Sequence, residues 1–177
     1  MRPRVLLSFL VCLALAVPAF AEPQQFTAVV VSVAEGDTIS VLTQDKRKIT
    51  IRFYGIDAPE LRQPGGAEAK DAIRRLQGER VTISKMGTDR YKRTSAVVDY
   101  MGRCVNLDQV AMGNAWFYPQ QCKASWVCGQ LKIAEAEARA GGLGLWADKN
   151  PVPPWEWKKR HGKARRQEGA VLKGNKS

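Results

Sequence analysis

The stretch Lys48 to Glu60 constrains the fold of this chain most. Ile49, Ile51 and Phe53 alternate with Thr50, Arg52 and Tyr54, the period of a strand with one buried face. This pattern puts Arg52 on the face away from the core, towards a site on the outer side of the sheet. The strand then runs into Gly55-Ile56-Asp57-Ala58-Pro59-Glu60, a loop stiffened by its proline. One arginine and two carboxylates therefore fall close together in the chain.

The flanking segments supply further strands and helices. Phe26 to Val33 is rich in β-branched residues and reads as a buried strand. Glu35-Gly36-Asp37 is a turn, and Thr38 to Leu42 continues as a second strand. Ala69, Ala72, Ile73 and Leu76 recur at helical spacing, with Gly78 as the expected C-cap. Val81 to Met86 and Thr94 to Met101 are two more strands, joined by 87–93. Leu107, Val110 and Ala111 seed a short helix. Ser125 is the expected cap of a third, which carries Leu131, Ala134 and Ala138 and ends at Gly141-Gly142. Five short strands with a helix after the third define an α+β, mainly β class. The expected architecture is a five-stranded, partly open OB-fold barrel with about three packed helices.

The two ends read differently from the 22–150 body. Arg2 and Arg4 precede an apolar run from Val5 to Phe20, and Ala19-Phe20-Ala21 is a cleavage site. Residues 1–21 are the expected signal peptide, so the protein is expected to be secreted or periplasmic. The alternative, an anchored single span, has a short run for the purpose. Removing Arg2 and Arg4 leaves 26 basic and 17 acidic residues, a net charge of +9. After Asn150, Pro151-Val152-Pro153-Pro154 reads as a stiff linker. Residues 151–177 hold eight Lys/Arg and two Glu, so most of the charge sits there. The expected state is a disordered basic tail; the functional alternative is an electrostatic arm for polyanions. Export implies an oxidising compartment, and Cys122 with Cys128 is the favoured pair, leaving Cys104 over. Neither C-x-x-C nor a Cys/His cluster points to zinc.

The chain has one histidine, His161, and it lies in the tail. That argues against hydrolases built on paired histidines or a Ser-His triad. Any base must be a carboxylate. Three clusters offer one: Glu35-Gly36-Asp37-Thr38, Arg52 to Glu60, and Asp89-Arg90-Tyr91-Lys92-Arg93. Each alone has an ordinary explanation as a turn or an exposed strand. Together they supply two carboxylates for a hard cation such as calcium, a further carboxylate, and two arginines whose planar forks match phosphate oxygens. Metal-assisted phosphodiester hydrolysis requires such a set.

These motifs resemble the staphylococcal nuclease (thermonuclease) family over about Thr27 to Asp148. The Gly-Asp-Thr turn, the Arg-x4-Asp-x-Pro-Glu run and the Asp-x-Tyr-x-Arg turn occur in family order. Val105-Asn106, Gly113-Asn114-Ala115 and Leu143-Gly144-Leu145-Trp146 also fit. The resemblance implies an OB barrel and a calcium-dependent nuclease that cuts single-stranded DNA and RNA with little sequence specificity, leaving 3′-phosphate ends. It implies that Asp37, Asp57 and the carbonyl of Ala58 ligate Ca2+. Glu60 would orient or deprotonate the attacking water, and Arg52 and Arg93 would clamp the phosphate. Arg90, Tyr91 and Tyr118 would line the nucleotide side. A monomer is expected, with no stable membrane insertion after signal removal. Two residues depart from the pattern: Glu35 stands where aspartate is frequent, and Lys92 where glycine is usual. If that turn needs a positive φ, lysine costs about 1 kcal/mol. The enzyme reading expects Glu60→Ala or Arg52→Ala to abolish cleavage with folding kept. Two alternatives are a non-catalytic OB-fold nucleic-acid-binding module and a cationic envelope protein.

Overall fold

The computed structural model describes residues 23–161. The signal peptide expected at 1–21 and the tail beyond 161 lie outside the described residues. In chain order the elements are β1 (Gln25–Glu35), β2 (Thr38–Thr43), β3 (Lys48–Phe53), β4 (Ile56–Asp57), α1 (Gly66–Arg74), β5 (Arg80–Thr88), β6 (Thr94–Tyr100), β7 (Arg103–Cys104), α2 (Val105–Ala111), β8 (Trp116–Phe117) and α3 (Ser125–Ala140). Residues 154–161 form a fourth helix, α4.

β1 pairs antiparallel with both β2 and β5, β2 with β3, and β5 with β6. A parallel pairing of β3 with β6, through Ile51, Arg52 and Phe53, closes the barrel. The result is the expected five-stranded OB-type α+β fold. β1, 11 residues long, serves two neighbours, and its register against β2 shifts between Val30 and Ser32 and again between Val33 and Glu35. Such bulges bend a strand and let it turn a barrel corner. Val30, Ile39, Val41, Ile51, Phe53, Ile83 and Val98 fill the interior at 0–1% exposure. Burying a side chain of this size contributes about 1.5–3 kcal/mol.

Two buried amides join the layers. Asn106 accepts from the Val98 amide at 3.0 Å and donates to the Tyr54 and Ala96 carbonyls at 3.0 and 3.2 Å, pinning α2 where β3 meets β6. Gln109 donates to the Gly36 carbonyl at 2.5 Å and to the Ala69 carbonyl at 2.9 Å. It fastens the β1–β2 turn to α1.

Three local expectations are corrected. The cap of α1 is Arg75; Gly78 lies further on, in a left-handed turn. The cap of α3 is Ala124, whose carbonyl accepts the Val127 and Cys128 amides, and Ser125 is already helical. The tail is not disordered through 161. Pro154 stands at the first position of α4, and the Glu156 and Trp157 amides bond the Pro153 carbonyl. A fixed φ and a missing N–H suit proline to that position, so the prolines read as a linker also start a helix. Cys122 and Cys128 form a disulfide and Cys104 is free. The Tyr54 hydroxyl accepts the Lys123 and Ala124 amides, which anchors the disulfide loop to the barrel.

Candidate active site between the barrel and the C-terminal helix

Arg52 does not face outward. It is 8% exposed, because the β1–β2 turn and β4 cover its side of β3 with Asp37 and Asp57. Its guanidinium pairs with Asp37, and its Nη2 lies 2.5 Å from Asp57 Oδ1. Strand alternation identified the correct face but not what covers it.

Asp37 is buried in the β1–β2 turn. Its carboxylate also accepts the Thr38 hydroxyl at 2.8 Å and the Ala58 amide at 2.6 Å. Gly36 makes this approach possible: a Cβ there would lie 2.6 Å from that of Ala69 and 3.0 Å from that of Ala58. Glu60 is held from behind by α1. A Cβ on Gly66 would lie 2.0 Å from the Glu60 carbonyl oxygen, so only glycine lets the first turn of the helix sit there.

Arg93 depends on Asp89. The Asp89 carboxylate accepts the Tyr91 and Arg93 amides, both at 2.9 Å, and Arg93 Nε at 2.7 Å. Lys92 takes φ +63°, so the turn adopts the left-handed conformation at which glycine is usual. The Arg90 and Arg93 guanidinium carbons lie 4.8 and 5.3 Å from the centre of the exposed Tyr91 ring.

Arg52, Asp57, Glu60, Arg90, Tyr91, Arg93 and Tyr118 line one cavity of about 560 Å³, with Glu35, Asp89 and residues of α4. Asp37 and Ala58 are not on its wall; they are buried, and Asp37 is tied to the wall through Arg52.

Sequence reasoning did not place Lys158 of α4 in the site. Lys158 Nζ lies 3.1 Å from Asp57 Oδ1 and 3.0 Å from Glu60 Oε1. Trp155 stacks on Tyr118 with centroids 5.2 Å apart and planes at 23°, and meets Trp116 edge-on. Gln63 secures the connection: its Nε2 donates to the Val152 carbonyl at 2.6 Å and its Oε1 accepts the Glu60 amide at 3.3 Å. A proline at the helix start, followed by Trp-x-Trp, was the available signal.

The site is rich in opposed charge. Burial pushes the Asp57 carboxyl up, and Asp37 adds to this while Arg52 and Lys158 oppose it. Burial also raises Glu35, helped by Glu60 and Asp37. Lys158 is raised: burial works against its charged form, but Asp57 and Glu60 outweigh burial. Arg52 behaves likewise between Asp37 and Asp57. Among the described residues, no group of three or more His, Cys, Asp or Glu side chains converges as a ready-made metal cage. The donors that do gather are oxygens, and an ammonium bridges two of them. Their chemistry suits a hard cation held by two or three protein ligands with water.

An OB barrel with carboxylates and arginines around one cavity defines a class, the barrels equipped for phosphate chemistry. The family model described as "Staphylococcal nuclease homologue" matches residues 50–148, and the chain belongs to that family. It is 38% identical over 135 residues to an "Uncharacterized endonuclease" of Haemophilus influenzae, covering 76% of this chain and 74% of the relative. It is 37% identical over 170 residues to "Protein ParB" of Escherichia coli, covering 90% and 92%. It is 36% identical over 159 residues to a "Micrococcal nuclease" of Shigella flexneri, covering 84% and 88%.

Proposed function

We propose that this protein is a secreted or periplasmic, calcium-dependent nuclease that hydrolyses DNA and RNA with little sequence specificity and leaves 3′-phosphate ends. The observation that carries this reading is the convergence of Arg52, Asp57, Glu60 and Arg93 on one cavity. Membership of the family and the relatives called endonuclease or micrococcal nuclease support it. Neither alternative fits as well. A pure binding module has no need of Glu60 beside two arginines, and an envelope protein has no need of the cavity.

Asp37, Asp57 and the Ala58 carbonyl would hold the calcium ion. When bound, it supplies positive charge facing the phosphate oxygens. Glu60 accepts a hydrogen bond from the attacking water and takes its proton as the new P–O bond forms. Arg52 turns part of its fork from the carboxylates to the phosphate, and Arg93, aimed by Asp89, meets the opposite oxygens. Both stabilise charge that grows in the transition state. The P–O bond to the 5′-oxygen breaks, and that oxygen collects a proton from solvent. Tyr91 and Tyr118 offer aromatic faces to bases, which tolerates any sequence. Single-stranded substrate is favoured because its bases are free to stack. The protein acts as a monomer without membrane insertion.

Single-turnover cleavage of labelled single-stranded DNA, with calcium and with chelator, tests the reading. Cleavage only with calcium, lost in Glu60→Gln, is expected. Binding without cleavage in both conditions would leave the OB binding module.

A further inference from the structure

Helix α4 lies beyond the residues matched by the family model, yet two of its side chains enter the site. Lys158 bridges Asp57 and Glu60, and Trp155 lies flat on Tyr118. The second contact fixes the helix and so aims the first. Gln63 reinforces the aim by joining the Glu60 backbone to Val152, just ahead of α4.

The calcium reading assigns Asp57 to the cation. An ammonium 3.1 Å from the same carboxylate and a divalent cation cannot both keep full contact with it, because the two positive charges would then lie close together and repel. We propose that Lys158, held against Glu60, sets the cation affinity of this site by competing with the divalent cation for Asp57. Docked α4 is then the form with low cation affinity. Coupling between two binding events is reciprocal. The cation therefore loosens α4 by the factor by which α4 weakens the cation, and the face of Tyr118 under Trp155 becomes free for a base. The cation requirement and access to the stacking surface are in this way one equilibrium. The inference rests on the calcium reading and adds the residue that tunes it.

Calorimetric titration of calcium chloride into the wild-type protein, Lys158→Met and Lys159→Met, without nucleic acid, tests this. Methionine keeps most of the apolar stem while removing the charge. Lys159 lines the same cavity, so its variant makes the same change in net charge without the bridge. Lys158→Met should bind calcium about fivefold more tightly, the size expected for a partly exposed ion pair. Lys159→Met should stay within about twofold, since screening weakens longer-range effects. Hydrogen exchange of residues 155–161 should accelerate in wild type when calcium is added. Unchanged or weaker binding by Lys158→Met, equal tightening by Lys159→Met, or slower exchange with calcium would overturn the inference. Calcium binding by none of the three proteins would overturn the calcium reading and this inference with it. Equal binding by all three overturns the inference alone.

Discussion

Lys158 Nζ lies 3.0 Å from Glu60 Oε1. The carboxylate assigned to the attacking water is thus paired with a lysine from the last helix of the described chain. The same ammonium reaches Asp57, 101 positions earlier. The site is assembled from the β1–β2 turn, β3, β4 and the loop after it, the β5–β6 turn and α4, so it forms only when both ends of the domain are folded together.

Arg52 and Glu60 are expected to separate in their effects. Glu60 is half-buried and its side chain meets the cavity. Glu60→Gln should lower kcat by about 10²–10⁴ and leave the melting temperature close to wild type. Arg52→Ala should remove activity and also destabilise the fold by about 3–5 kcal/mol, because Asp37 stays buried without its cation and Asp57 keeps only Lys158. This differs from the expectation drawn from sequence, which kept the fold intact in both variants. Urea denaturation beside the rate measurement checks it; an Arg52→Ala protein as stable as wild type would contradict the burial argument.

Lys92 holds a left-handed conformation without the freedom of glycine. Lys92→Gly should stabilise the protein by about 1 kcal/mol with the rate preserved, since Asp89 and not Lys92 aims Arg93. Asp89→Ala should do the reverse: a small loss of stability and a large loss of rate. Thermal melts and initial rates of the two variants distinguish the roles.

Glu35 gives a pH dependence. Burial first, then Glu60 and Asp37, raise its carboxyl above the ordinary glutamate value. The folded protein therefore keeps this proton to higher pH than the unfolded chain does. The cost of the charged form is absent below the unfolded value and grows as pH rises through the raised one. Glu35→Gln should stabilise the chelator-treated protein at neutral pH, and the gain should vanish under acid conditions. A gain that stays constant with pH would contradict the origin assigned to it.

Gly66 tests how Glu60 is held. A Cβ there meets the Glu60 carbonyl oxygen at 2.0 Å, and backbone cannot swing aside as a side chain can. Gly66→Ala should cost about 1–3 kcal/mol and reduce kcat more than KM, because Glu60 moves with its backbone. Equal kcat in the variant would mean that the carboxylate is positioned by its ion pair alone.

The barrel and most of the site were legible in the chain. A β-branched run marked β1 and alternation marked β3; β2, β5 and β6 were read as short strands, and the turns at Asp37 and Asp89 fell among the residues that the structure gathers. What was hidden depends on contacts between distant segments. Alternation gave the face of Arg52 but could not reveal that the β1–β2 turn and β4 cover it. Gln109 and Gln63 look like ordinary polar residues until their amides meet carbonyls from other elements. Lys158 stood in a segment whose basic composition reads as solvated chain. Its place is set by Trp155 packing on Tyr118, a pairing that neither residue announces in its own neighbourhood.

The central claim is tested most directly by the ends of the products. The purified protein is incubated with single-stranded DNA and with RNA, in calcium and in chelator, and the new termini are identified by mass spectrometry. Fragments bearing 3′-phosphate and 5′-hydroxyl groups, formed only with calcium, are the expected result. Intact nucleic acid in both conditions, or 5′-phosphate ends, would contradict the roles assigned to Glu60, Arg52 and Arg93.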